Sequence, residues 1–147
     1  MIYVTRRATF SAAHRLYNPT FSAERNEAVF DKCNNVLGHG HNYVIEVIVR
    51  GLPDPETGYV IDLKKLRDII DTRIVDRVDH KHLNFDVDFL LGAIPTVENL
   101  CVLFWREIAD HLPTGELYCI RLYESDQNYA EYFGAPVDIT MFPGVTP

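Results

Sequence analysis

Apolar positions alternate along residues 2–16: Ile2, Val4, Ala8, Phe10, Ala12, His14 and Leu16 share one parity, and Arg6 is the exception. A period of two is the signature of a strand with one buried face. Residues 39–50 repeat it, with His39, His41, Tyr43, Ile45, Val47 and Val49 on the odd face. The stretch between these strands is polar, and "SAERNEAVF" predicts a short helix capped by Ser22. "GLPDPETG" is a turn-rich break. A helix is predicted after Asp62, its N-cap, with the stripe Leu63, Leu66, Ile70, Ile74 and Val78 at three- and four-residue steps. "DHKHLN" reads as a loop. Thr96 caps a second helix, with Glu98 in its first turn and the stripe Val97, Leu100, Cys101, Phe104, Ile108 and Leu112. Pro113 and Gly115 end it, and residues 116–124 and 128–133 read as two more strands. The order ββααββ predicts an α+β domain over residues 1–134, an antiparallel sheet with two helices on one face. Residues 135–147, punctuated by prolines, read as a C-terminal extension or a loosely held tail.

Composition narrows the class. A chain of 147 residues is one domain by length and buries about two thirds of its unfolded surface. Neither an 18-residue apolar run nor a signal-peptide pattern is visible, so the expectation is a cytoplasmic protein without a membrane span. Net charge is −7 with no basic stripe, which argues against nucleic-acid binding. It leaves room for an anionic small substrate, because a few local cations outweigh global charge. Three cysteines, an odd number, argue against a disulfide framework.

The candidate chemistry begins in "CNNVLGHGHNYVIEV". Residues i and i+2 of a strand point the same way, so His39 and His41 present both imidazoles on one face. His14 lies on the apolar face of the first strand and reaches them if the two strands pair. Three neutral imidazoles with a fourth position open form a catalytic zinc arrangement. The bland alternative for His14 alone is a hydrogen-bonded core histidine. A rival, cupin-like reading adds Glu46, but its parity is even and points it away from the pair.

Cys33 sits in a polar loop, off any apolar stripe, as a surface thiol or, beside a metal or a histidinium, as a base or nucleophile. Cys101 falls inside a helical core stripe and Cys119 alternates within a strand, and both read as small hydrophobes. Asp79-His80 places a carboxylate beside an imidazole, a pair suited to acid–base work, with His82 as a competitor. Glu124 shares parity with Ile120 and Leu122, so it points inward and must be paired, by an Arg, by backbone amides or by a ligand with adjacent N–H donors. Arg15, Arg25 and Lys32 are candidate phosphate contacts or ordinary surface charges.

Taken together, "FSAAHRL", "CNNVLGHGHNY", "VDHKHLN", "PTVENL" and "LYESDQN", in this order, resemble the 6-pyruvoyl-tetrahydropterin synthase family over about residues 3–133. The resemblance implies the tunnelling fold, with three subunits closing a barrel and two trimers stacking into a homohexamer. It implies zinc held by His14, His39 and His41, and Cys33 as the catalytic cysteine. Asp79 and His80 complete a triad across subunits. Glu124 anchors the pterin's pyrimidine edge, and Thr96 and Glu98 fall in a second pterin-contacting segment. The implied substrate is 7,8-dihydroneopterin triphosphate, converted without a redox cofactor to 6-pyruvoyl-tetrahydropterin and triphosphate. A related branch forms 6-carboxy-tetrahydropterin for queuosine biosynthesis. There the cysteine usually stands nearer the H-G-H, whereas five residues, Asn34 to Gly38, intervene here. A non-catalytic zinc- or pterin-binding protein on the same fold is the remaining alternative.

Overall fold

The computed structural model describes residues 1–138, 140 and 142. Two long strands, β1 (Ile2–His14) and β2 (His39–Gly51), pair antiparallel along their full length, from Ile2 opposite Gly51 to His14 opposite His39. Between them lie α1 (Ala23–Phe30), where the Ser22 hydroxyl accepts the Arg25 N–H, and a 3-10 turn over Asp31–Asn34. After β2 comes α2 (Leu63–Ile70), with Asp62 as the side-chain cap. It runs on through a π turn, Asp71–Val75, and a last α turn, Asp76–Val78. The short β3 (Lys81–His82), α3 (Val97–Ile108), β4 (Glu116–Tyr123) and β5 (Tyr129–Tyr132) complete the chain.

Among the described residues the sheet has five strands, in the order β3-β1-β2-β4-β5. Loop "DHKHLN" is therefore in part a strand: Lys81 and His82 pair parallel with Ala12 and Ala13. Two residues are too few to carry a period, so pattern alone does not reveal this edge. It corrects the purely antiparallel four-strand expectation.

Alternation decides which face is buried. Phe10, Ala12, Tyr43, Ile45, Val47, Val49, Ile120 and Leu122 face the core, with the stripes of α2 and α3 packed on them. The α2 stripe holds Leu66, Ile70, Ile74 and Val78, all fully buried. Each four-residue step overshoots the 3.6-residue α turn, and the wider π turn absorbs the overshoot, keeping one face on the sheet. Leu63, expected in this stripe, is 47% exposed. It lines a surface pocket with the similarly exposed Ile2.

The opposite sheet face is polar. Register places Arg7, Glu46, Arg121 and Glu131 side by side across four strands. Arg121 is the hub of this ladder, at 2.8 Å from Glu46 and 2.7 Å from Glu131. Cross-strand pairs of opposite charge add a few tenths to about 1 kcal/mol each. A register shift opposite Ile48/Val49 leaves Tyr118 as the extra residue of β4, so both Leu117 and Ile120 reach the core. The extension is partly anchored rather than loose: Val137 packs against the core and Phe142 is 2% exposed. Its remaining part, 139, 141 and 143–147, lies outside the described residues.

Candidate functional site

The inward face of β1 and β2 turns from apolar to imidazole at one end. His14 lies opposite His39, and Ala12 opposite His41. Parity then puts all three rings on the core side, beyond Phe10 and Tyr43, which stack at 4.9 Å. Their centroids lie 4.6, 5.0 and 4.8 Å apart. One nitrogen from each ring falls within 4.8 Å of the others, a group able to hold a metal ion. The pairing that the metal argument needed is present.

The surroundings prepare these rings as ligands. His14 is fully buried, and burial holds its pKa down at about 4, so it is neutral near pH 7. Its Nδ1 donates to the Pro95 carbonyl at 2.8 Å, which leaves the Nε2 lone pair for the centre. That Nε2 lies 3.0 Å from His39 Nε2. The Tyr43 hydroxyl sits 3.2 Å from the same Nδ1. Burial also lowers the pKa of His41, against the opposing pull of Glu124. The Nε2 of His41 is buried and makes no hydrogen bond among the described residues, although a Glu124 carboxylate oxygen stands 3.3 Å away without hydrogen-bond geometry. An orphaned imidazole nitrogen beside two convergent ones is what a bound cation satisfies, and the donor set fits a divalent transition metal. Glu46 pairs with Arg121 on the other face, which removes the cupin-like reading.

Gly38 lets the loop enter β2. It has φ +79°, and a Cβ there would lie 2.9 Å from the His14 carbonyl oxygen and 2.8 Å from His82 Nε2. Upstream, Cys33 rides the 3-10 turn, half-buried, with its carbonyl accepting the Leu16 N–H at 2.8 Å. Cys101 and Cys119 are buried at 1% and 2%, and burial pushes their thiols up to about 12 and 11.

Glu124 follows β4 at the turn into β5, where its N–H donates to the Asn128 carbonyl. Its carboxylate reaches within 3.3 Å of His41 Nε2, so it belongs to the same site. No arginine pairs with it among the described residues. The expectation that it points inward is met.

Asp79 and His80 stand elsewhere. Asp79 accepts the Ser11 N–H on one oxygen and meets His80 Nδ1 on the other, both at 2.9 Å. The Ser11 amide, then His80, hold its carboxyl below the usual range. His80 has φ +57° and a side chain 82% exposed. It lines a cleft with Ser11, Gly40, His41, Asn42, Lys81 and His82. Ser11 and Asn42 have the parity opposite to the three histidines. No hydrogen bond joins Cys33 to Asp79 or His80 among the described residues. The His82 ring lies tilted against Phe85, centroids 4.6 Å apart, and its Nδ1 accepts the Asn84 N–H. The Thr96 hydroxyl accepts the Asn99 N–H as the α3 cap, and Glu98 is exposed in the first turn. Sequence reasoning missed Pro95 and Tyr43 as supports of His14. Tyr43 was findable, since it shares the parity of His39 and His41; a backbone carbonyl carries no residue signal.

The family model for 6-pyruvoyl tetrahydropterin synthase matches residues 3–135. The chain is 46% identical over 132 residues to 6-pyruvoyl tetrahydrobiopterin synthase of Poecilia reticulata, covering 90% of each chain. To the human protein of that name it is 44% identical, covering 89% of this chain and 90% of the other. A putative 6-carboxy-5,6,7,8-tetrahydropterin synthase of Archaeoglobus fulgidus is 32% identical over 76% of this chain and 88% of its own length. The structure of Caenorhabditis elegans 6-pyruvoyl tetrahydropterin synthase superimposes with a TM-score of 0.87 at 37% identity, covering 91% of this chain and 96% of that one. The chain belongs to the 6-pyruvoyl tetrahydropterin synthase family.

Proposed function

We propose that this chain is a zinc-dependent 6-pyruvoyl-tetrahydropterin synthase. It converts 7,8-dihydroneopterin triphosphate to 6-pyruvoyl-tetrahydropterin and triphosphate, and so serves tetrahydrobiopterin biosynthesis. The observation that carries the reading is the convergence of His14, His39 and His41, with its orphaned nitrogen, in a chain this similar to named synthases.

His14, His39 and His41 hold the zinc. When bound, zinc polarises the oxygens of the pterin side chain and acidifies the adjacent C–H bonds as a Lewis acid. Glu124 accepts two charge-assisted hydrogen bonds from the pyrimidine edge and so fixes the ring over the site. The Cys33 thiolate takes a proton from the side chain. His80, oriented by Asp79, delivers or removes another at the second carbon. Loss of triphosphate and the shift of hydrogens within the side chain balance without an external oxidant. Thr96 and Glu98 border the pterin at the start of α3, where Pro95 already supports His14.

The His80 side chain, 82% exposed and without a hydrogen bond to Cys33 among the described residues, favours a triad assembled between copies, with His80 of one chain serving Cys33 of another. A homohexamer of two stacked trimers provides that arrangement. It also pairs the outer edge of β1, which β3 covers only at Ala12 and Ala13. No helix among the described residues is long and apolar enough to cross a membrane, consistent with a cytoplasmic enzyme.

Product analysis tests the reading. Zinc-loaded protein is incubated anaerobically with 7,8-dihydroneopterin triphosphate, and the products are identified by mass spectrometry. A pyruvoyl pterin is expected. A carboxy pterin with acetaldehyde moves the chain to the queuosine branch. No consumption with zinc bound replaces the enzyme by a binding protein.

A further inference from the structure

Arg15 follows His14 directly, and sequence alone leaves it between a phosphate contact and a surface charge. Its guanidinium is already engaged. Nε donates to the Asn34 carbonyl at 3.0 Å, and Nη2 donates to Asn34 Oδ1 at 3.0 Å, a two-pronged grip on one residue. The Tyr17 ring lies under the guanidinium, 4.2 Å from centroid to Cζ. The Arg15 backbone is itself pinned: its N–H donates to Asn84 Oδ1 at 2.9 Å, and its carbonyl accepts from Asn84 Nδ2 at 2.8 Å. Leu16 N–H, one residue on, holds the Cys33 carbonyl at 2.8 Å. Cys33 is thus gripped from both sides by the segment that follows the ligand His14.

We infer that Arg15 is a positioning residue: its fork on Asn34 fixes the 3-10 turn so that the Cys33 thiol is presented at a set place relative to the histidine centre. The inference rests on the reading of Cys33 as the proton-abstracting group. The physical reason lies in the turn itself. Asp31–Asn34 is a single 3-10 turn of four residues, and Cys33 makes no side-chain hydrogen bond among the described residues. A half-buried thiol with no bond of its own keeps its position only through its backbone. Arginine is suited to this task and lysine is not, because only the planar guanidinium supplies two donors in a fixed fork. A misplacement of about 1 Å at a reacting group can cost on the order of a hundredfold in rate.

The test is a double-mutant cycle of Arg15→Lys and Asn34→Ala in the full zinc-loaded protein, with Cys33→Ala as control. Arg15→Lys keeps the charge and loses the fork. The expected result is a fall in kcat of about tenfold or more for each single variant, with KM within about twofold and zinc content unchanged. The double variant is expected to be no slower than Arg15→Lys alone, because losing the fork already removes the Nη2–Oδ1 prong that Asn34→Ala takes away, and Asn34→Ala leaves the backbone carbonyl in place. Hydrogen exchange over residues 31–38 and at the Leu16 amide is expected to speed up in both. A rise in KM with kcat unchanged makes Arg15 a phosphate contact and overturns the inference. So do strictly additive losses in the cycle, or unchanged kinetics while Cys33→Ala is inactive. If Cys33→Ala keeps full turnover, the reading of Cys33 fails instead, and exchange over the turn still reports whether the fork holds it.

Discussion

Two histidine-bearing regions of this chain stand in opposite states. His14 is fully buried, neutral and bonded on its far nitrogen, ready to act as a ligand. The His80 side chain is 82% exposed, and among the described residues its ring meets the carboxylate of Asp79 beside it. The difference teaches what each job requires. A metal centre needs several donors fixed at once, so it is built where two strands pair in full register and a helix start closes the back. An imidazole that serves a site on another copy must stay outside its own core. On the proposed reading, the metal-holding half of the chemistry is complete within a chain, and the acid–base half is offered outward.

The strongest way to break this comparison is to remove a ligand. His39→Ala is expected to lose its metal on dialysis and to lower turnover by about a thousandfold, since several kcal/mol of Lewis-acid stabilisation at 1.4 kcal/mol per tenfold go with it. Metal content by mass spectrometry and a product assay check it. Full occupancy in that variant contradicts the three-histidine centre.

The outward half is tested by mixing. Cys33→Ala and His80→Ala are each expected to keep the metal and lose about a hundredfold or more in kcat. If the triad forms between copies, equal amounts unfolded and refolded together recover about a quarter of wild-type activity, because only sites with both native residues work. No recovery places the acid–base pair and the cysteine in one chain.

Much of this arrangement is legible in the sequence because a strand has period two. Alternation in residues 2–16 and 39–50 puts His14, His39 and His41 on one face before any contact is known. Glu124 is legible for the same reason, since the extra residue of β4, Tyr118, lies before the run Ile120, Leu122 and Glu124. Three features escape this logic. β3 is two residues long and has no period. The π turn in α2 shows only as a strict four-residue step. Asp79 is fixed by the backbone amide of Ser11, a group every residue but proline carries, so no residue type announces it.

Burial of His14 also predicts a pH effect in metal-free protein. Its folded pKa of about 4 lies below the ordinary 6.5, so between these values the unfolded chain carries a proton the folded chain lacks. Stability is fully present above about 6.5 and falls as pH drops towards about 4, by roughly 3 kcal/mol for a shift of this size. Urea unfolding of chelator-treated wild type and His14→Gln at pH 7 and pH 4.5 isolates the difference. Equal slopes in the two proteins remove His14 as the source.

The smallest expected effect separates ligand from anchor at the shared end of the site. Glu124 lies 3.3 Å from His41 Nε2 and has no arginine partner among the described residues. A carboxylate so placed either steadies the metal centre through His41 or waits for a ligand with adjacent N–H donors. Glu124→Gln keeps the shape and one acceptor oxygen but removes the charge. As an anchor, it is expected to retain the metal and to weaken binding of neopterin, an unreactive pterin, by about 2 kcal/mol, the usual value of hydrogen bonds to a charged group. That is some thirtyfold in Kd by calorimetry. Unchanged affinity with metal retained removes Glu124 from the anchor role. Loss of metal gives it to the centre instead, and the boundary between the metal site and the pterin site then runs on the far side of Glu124.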